Sequence, residues 1–296
     1  MRPSQLLAHT GVAIRVVAVL TLLLGLGYPL LMTAAAKLPG LSDPAKGSII
    51  TDQNGKQVGS SLIGQSFTDA DGNALPWYFQ SRPSKAGDGY DATASGASNL
   101  GPEDIVDTLP VPGDPESGMQ SLLTQICARS HQVGALEQVD GRRPYCTADG
   151  VGAVLGVYRS GGLTGTAIRV VSLNQPCPAQ AFVAKYEGIT VECARPDANY
   201  SKAVVTPIRG DAPDKPVVPP DAVTASASGL DPAISPEYAR LQAPRVARER
   251  GVDVDTVLGL VDEYTTGRGL GVLGEPTVNV LELNLDLDRN HPKRSS

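Results

Sequence analysis

The sequence predicts a single N-terminal transmembrane helix followed by an extracytoplasmic mixed α+β domain with a small β-rich insertion. Three observations carry this: an uncharged apolar run from Val16 to Ala36, four cysteines confined to 67 consecutive residues, and a change from helical to strand-like patterning and back along the body. At 1.5 Å per residue the apolar run covers roughly 30 Å as a helix, the hydrocarbon thickness of a bilayer. Read as an anchor, it leaves residues 1–15 as a cytoplasmic tail, 16–36 as the span and 37 onward outside. Read as a secretory signal, Ala34-Ala35-Ala36 offers a cleavage site and the product is a secreted binding protein. Both readings send the body across the membrane.

The cysteines agree with that destination. Cys127, Cys146, Cys177 and Cys193 contain no C-x-x-C pair. An even number in one segment reads as two disulfides formed in an oxidising compartment. Proximity favours Cys127–Cys146 with Cys177–Cys193; four buried thiols are the alternative. The charge is divided the same way. Of the net −6, residues 1–37 carry +3, and the remainder, with 22 basic and 31 acidic side chains, carries −9.

Composition excludes several functions. Clustered Lys and Arg are missing, which removes a nucleic-acid footprint. Aromatic residues are 4% of the chain, too few for base-stacking platforms. Its three histidines, His9, His131 and His291, are too scattered for a multi-His metal site or a His-based triad. There is no G-x-x-x-x-G-K-[ST], H-E-x-x-H or G-x-S-x-G, so no catalytic set and no resident metal are expected. A hydrolase using Ser98 or Ser228 lacks a nearby base. Gly269-Leu-Gly-Val-Leu-Gly274 fits G-x-G-x-x-G literally, but a helix precedes it and a β run follows, the reverse of a dinucleotide fold, so it is read as a turn.

Along the body, residues 48–51 and 57–63 flank Asn54-Gly55, which predicts a hairpin with a type I′ turn. Trp77-Tyr78-Phe79 is read as core, with packing against a membrane partner at headgroup level as the alternative. Residues 83–102 are rich in Ser, Gly and Asn and predict an ordered loop anchored by Tyr90 and Leu100, with disorder as the competing reading. Met119–Val139 has helical spacing. Val151–Tyr158, Ala167–Leu173 and Phe182–Val191 read as strands of a disulfide-stapled insertion spanning 141–214, set into a domain formed by 37–140 and 215–290. Ser235-Pro236-Glu237 marks a helix start, with Pro244 kinking or restarting that helix. Val254, Val257, Leu258 and Val261 predict a further helix. Leu281–Leu287 alternates and predicts a half-buried strand, with a bulge near Val280. Residues 291–296 are read as a tail.

Several blocks go further. Gly59-Ser-Ser-Leu-Ile-Gly-Gln65, Tyr78-Phe-Gln-Ser-Arg-Pro-Ser84, Tyr90-Asp91 and Ser95-Gly-Ala-Ser-Asn-Leu-Gly-Pro102 resemble, in order, the C subunit of the Kdp high-affinity potassium-transporting P-type ATPase. So do Val223–Pro236, Gln242, Arg245-Val-Ala247 and Leu273–Leu281. The chain departs from that pattern at Ala97 and Ala227, where Gly is usual, and at Ala233, where His is usual. The middle resembles an insertion associated with actinobacterial members.

The resemblance implies a non-catalytic accessory subunit with three partners: a channel-like potassium-binding subunit, a P-type ATPase subunit and a small membrane subunit. It implies no directly bound cofactor; ATP and Mg belong to the ATPase subunit, and K+ is the cargo. It also implies assistance to ATP binding through a glutamine, for which Gln65 and Gln242 match by motif. A body outside the membrane would exert that influence only allosterically. The interface or ordered-loop candidates are Gln65, Arg82, Ser98, Asn99, Ser226, Ser228, Asp231, Ser235 and Gln242.

Overall fold

The computed structural model describes residues 3–293, with side chains from His9 onward. Residues 1–2 and 294–296, the ends of the expected tails, lie outside the described residues. The chain divides after Leu62 into two units.

The first unit opens with helix α1 (Pro3–Leu22), a π-helical turn over Leu23–Gly27 and helix α2 (Tyr28–Ala35). Helical dihedrals at Leu22, Gly27 and Tyr28 carry the chain through without a break. The wide turn has a cause in Pro29, which has no N–H to donate and whose ring crowds the carbonyl four residues back. His9–Ala35, 27 residues, is long and apolar enough to cross a membrane, and none of it is buried against the rest of the chain. A short helix α3 (Ser42–Ala45) leads to antiparallel strands β1 (Ile49–Thr51) and β2 (Gln57–Ser60), with a register shift between Ile50 and Thr51. The connection is not the expected type I′ turn. Asn54 keeps a negative φ, Gly55 alone turns left-handed (φ 76°), and the Asp52 carboxylate accepts from the N–H groups of Asn54 and Lys56.

In the second unit, residues 63–121 contain little regular structure beyond two 3-10 turns, Ala92–Ala94 and Pro115–Ser117. Helix α4 (Leu122–Glu137) starts where the Ser121 hydroxyl accepts from the Thr124 N–H and ends at Gln138 in the left-handed region. It is shorter than the apolar spacing suggests, because Ser121 supplies the cap. Five strands follow: β3 (Val154–Gly161), β4 (Thr164–Pro176), β5 (Lys185–Tyr186), β6 (Ile189–Ala194) and β7 (Val204–Pro207), in the order β5-β6-β4-β3-β7. The β4–β6 pair is parallel and the others are antiparallel. Alternate residues fill both faces. Leu155, Val157, Val170 and Val191 pack with Phe182 and Ile189, whereas Val154, Val171, Leu173 and Ala194 pack with Leu109 and Leu123.

Disulfides join Cys127 of α4 to Cys146 and the end of β4 at Cys177 to Cys193 of β6. Where the chain enters and leaves this sheet it meets itself: the Tyr145 N–H donates to the Arg209 carbonyl at 3.0 Å, and Ile208 N–H donates to the Ala153 carbonyl at 2.8 Å.

The remainder comprises strand β8 (Ala233–Ile234), helices α5 (Pro236–Arg250) and α6 (Val254–Glu263), strands β9 (Thr265–Thr266) and β10 (Thr277–Asn279), and helix α7 (Val280–Asn290). The small sheet runs β8-β10-β9. Ser235 caps α5 through the Tyr238 N–H, and α5 continues through Pro244 without restarting. The expected strand over Leu281–Leu287 is instead α7, and there is no bulge at Val280. Asn279 ends β10 and caps the helix, its side chain accepting from the Glu282 N–H at 3.1 Å. The buried positions Val280, Leu283, Asn284 and Leu287 follow helical spacing. Reading Asn284 as a solvent-side residue is what made the segment look alternating.

Candidate functional site

Residues Pro76–Ser84 run half-buried across the second unit, with Phe79 fully buried, and form no strand. A buried backbone needs partners for its N–H and C=O groups, and here side chains supply them. The Gln242 amide of α5 accepts from the Gln80 N–H at 2.7 Å and donates to the Gln80 carbonyl at 3.1 Å. The Asn284 amide of α7 does the same for Phe79, at 2.9 Å in both directions. Phe79, Gln242 and Asn284 are buried.

Two arginines of α5 complete the clamp. Arg245 donates through Nη1 to the carbonyls of Pro76 and Tyr78, through Nη2 to Gln242, and through Nε to Glu137 of α4 at 3.0 Å. Arg250 donates to the Trp77 and His291 carbonyls and to Asp288. Side-chain exposure in the Arg245–Glu137 pair is 2% and 1%, so this charge pair lies in the interior. Burial pushes the Glu137 carboxyl up from its ordinary value, and Arg245 opposes that rise. Such a pair is costly to desolvate, and losing one partner leaves the other uncompensated. The aromatic cluster is divided: Phe79 is fully buried, Tyr78 lies under the Arg250 guanidinium, and Trp77 lies under the Lys293 ammonium.

Beyond Ser81 the segment meets the two Ser/Gly/Asn-rich blocks. Arg82 pairs with Asp231 at 3.0 Å and donates to the Thr224 carbonyl, while its Nε is buried with no partner among the described residues. Ser84 and Ser95 donate to the carbonyls of Gly229 and Ser228, and Gly96 N–H donates to Ser228 as well. Ser228 donates to Asp231 and accepts from Leu230 N–H. Tyr90 donates its hydroxyl to the Arg82 carbonyl at 2.8 Å, and burial pushes that phenol up to about 12. Gly64 fits because any Cβ there would lie 2.4 Å from the Asp231 carbonyl oxygen. Beside this knot a cleft of about 760 Å³ is lined by residues including Gln80, Arg82, Tyr90, Arg129 and Tyr238.

Of the residues singled out in the sequence, Arg82, Ser228 and Asp231 come together here. Ser226 is buried nearby in sequence, and Ser98 is half-buried with its hydroxyl accepting from the Leu100 N–H. Asn99 is exposed. Ser235 donates to Asp221 and caps α5. Gln65 is half-buried, its carbonyl accepting from Ser81. Gln242 is fully enclosed and both ends of its amide are engaged. Asn284, Arg250, Glu137 and Asp288 were not foreseen. The signal for Asn284 was a polar residue at a core position of the amphipathic helix α7.

The family model for KdpC, described as K+-transporting ATPase, c chain, matches residues 10–108 and 195–289. The chain belongs to the KdpC family. Its relatives include the potassium-transporting ATPase KdpC subunits of Koribacter versatilis, 35% identical over 93% of this chain and 91% of that one, and Kineococcus radiotolerans, 37% identical over 95% and 92%. The Caulobacter vibrioides subunit is 33% identical over 98% of both chains. Both sides of the clamp lie in KdpC-matched sequence, Phe79 and Gln80 in the first stretch, Gln242 and Asn284 in the second. The unmatched residues 109–194 hold strands β3–β6 and all four cysteines. The relatives' alignments cover too much of the chain to omit that stretch, so KdpC proteins with a comparable middle exist.

Proposed function

We propose that the chain is a non-catalytic accessory subunit of an ATP-driven high-affinity potassium uptake pump. It assembles with the channel-like potassium-binding subunit, the P-type ATPase subunit and the small membrane subunit, and it stabilises them. Residues 1–15 lie in the cytoplasm, 16–36 span the membrane, and 37–296 lie outside. The observation that carries this reading is the single family match running from within the apolar helix through both halves of the body. Two disulfides support the oxidising side for the body.

ATP and Mg are held by the ATPase subunit, and K+ is cargo of the complex. The enclosure of Gln242 argues against a direct nucleotide contact through that side chain. Any promotion of ATP binding then passes through the assembly, as a coupling of typically 1–3 kcal/mol. The central β unit is peripheral to transport.

Protease treatment of sealed vesicles tests the topology. The body should be digested in right-side-out vesicles and protected in inverted ones. The opposite pattern would place the body in the cytoplasm and overturn the reading.

A further inference from the structure

The turn between β9 and β10 holds three large apolar side chains in solvent: Leu270, Val272 and Leu273 are 92%, 74% and 62% exposed. The turn is built to hold its shape. Gly269 and Leu273 exchange both backbone hydrogen bonds at 2.8 Å, Gly271 N–H donates to the Arg268 carbonyl, and Arg268 pairs with Glu275 across the neck. Leu270 has a φ of 51°, in the left-handed region, which costs a residue with a Cβ roughly 1–2 kcal/mol. The side chain so fixed is almost wholly exposed, so no packing within the chain offsets that strain. A backbone outlier combined with an exposed apolar tip is the pattern of a contact held ready for something else.

Three occupants can be compared. A bilayer surface selects aromatic and basic residues at such tips; residues 267–276 contain no aromatic, and the one cation, Arg268, is neutralised by Glu275. A second copy of the chain would have to be held by these side chains alone. At roughly 60–120 Å² each, three of them bury well under the ~800 Å² per partner of a stable interface. A neighbour already tethered to the chain by another contact needs no such area, because tethering supplies the effective concentration.

We propose that the Leu270–Leu273 tip inserts into an apolar pocket on another subunit of the same ATPase. This rests on the accessory-subunit reading. The strained turn pre-organises the tip, so little conformational freedom is lost on docking.

The test places a photoreactive benzoyl-phenylalanine at position 270 in the full chain, expressed with its ATPase. The expected product is a crosslink to another ATPase subunit; crosslinks to lipid only, to a second copy, or to nothing overturn the proposal. A second arm uses the triple variant Leu270→Asn, Val272→Asn, Leu273→Asn. Asn tolerates the left-handed region, so the melting temperature of the full chain should hold or rise. Recovery of the other subunits on the tagged chain should fall roughly tenfold, equivalent to about 1.4 kcal/mol. If wild type recovers the subunits and the variant recovers them equally, the tip proposal fails. If wild type recovers none, it is the accessory-subunit reading that fails.

Discussion

Gln242 and Gln80 form a closed ring of two hydrogen bonds, the side-chain amide of one matching the main-chain amide of the other at 2.7 and 3.1 Å. Asn284 repeats the arrangement on Phe79, so two helices far apart in sequence grip adjacent residues of one irregular segment. Side-chain amides here do the work of a neighbouring strand.

Replacing Gln242 by Ala should therefore act as a folding lesion. It leaves the Gln80 N–H and carbonyl without their partner, at about 1–3 kcal/mol for each buried group. Urea unfolding should show a loss of roughly 2–5 kcal/mol. ATP affinity of assembled complexes should be unchanged once the folded fraction is corrected for. A specific affinity loss in fully folded protein would restore Gln242 as a nucleotide contact.

Gly229 should resist substitution for two separate reasons. Its φ is 71°, and a Cβ there would lie 2.7 Å from Ala86 Cβ and 2.8 Å from the Ala86 nitrogen. Gly229→Ala should cost roughly 1–3 kcal/mol by overcrowding, beyond its backbone strain. Gly210, also left-handed but with open space around it, is the control and should lose less. Equal losses at both positions would remove the packing argument.

The buried Glu137 sets a pH dependence whose sign can be worked out. Burial raises its folded-state pKa, so between the ordinary carboxylate value and that raised value the folded chain holds a proton the unfolded chain has released. Stability from this group is greatest below the window and falls as pH rises through it. Glu137→Gln removes the titration, so the variant keeps its stability through the window in which wild type loses this contribution. The stability of wild type relative to Glu137→Gln should fall as pH rises through the window. A relative stability that rises with pH would contradict the assignment.

The central β unit should be removable. Its ends meet through Tyr145 and Arg209, so a short turn can replace residues 146–208 without moving the flanking chain. Cys127→Ser belongs in the same variant, because excision removes its partner Cys146. Potassium uptake by the pump should persist. A folded deletion variant that no longer joins the complex would show the unit to be an interface.

Much of this was legible in the sequence, for identifiable reasons. The Ser235 cap, the α6 stripe and the disordered-looking but anchored 83–102 block rest on local chemistry that short stretches encode fully, whereas the Ser121 cap is masked by the apolar spacing around it. The Gly269–Gly274 turn was legible from the order of its neighbours. What failed was long-range. Asn284 looks like a solvent-side residue until its partner 205 positions away is known, and that one misassignment turned a helix into a strand. The Asn279 and Glu282 pair, three apart, was the local helix signal that the alternating leucines masked. In the same way, a buried Arg245 cannot be read from its own helix, since Glu137 and the Pro76 and Tyr78 carbonyls come from elsewhere.

The account rests on a membrane-anchored chain built into a potassium pump, and intact mass spectrometry of the tagged chain purified from membranes tests it most directly. It predicts a chain retaining residues 1–36, recovered together with the channel-like, P-type and small membrane subunits. A chain beginning at Lys37, released from the membrane and free of those subunits, would contradict it.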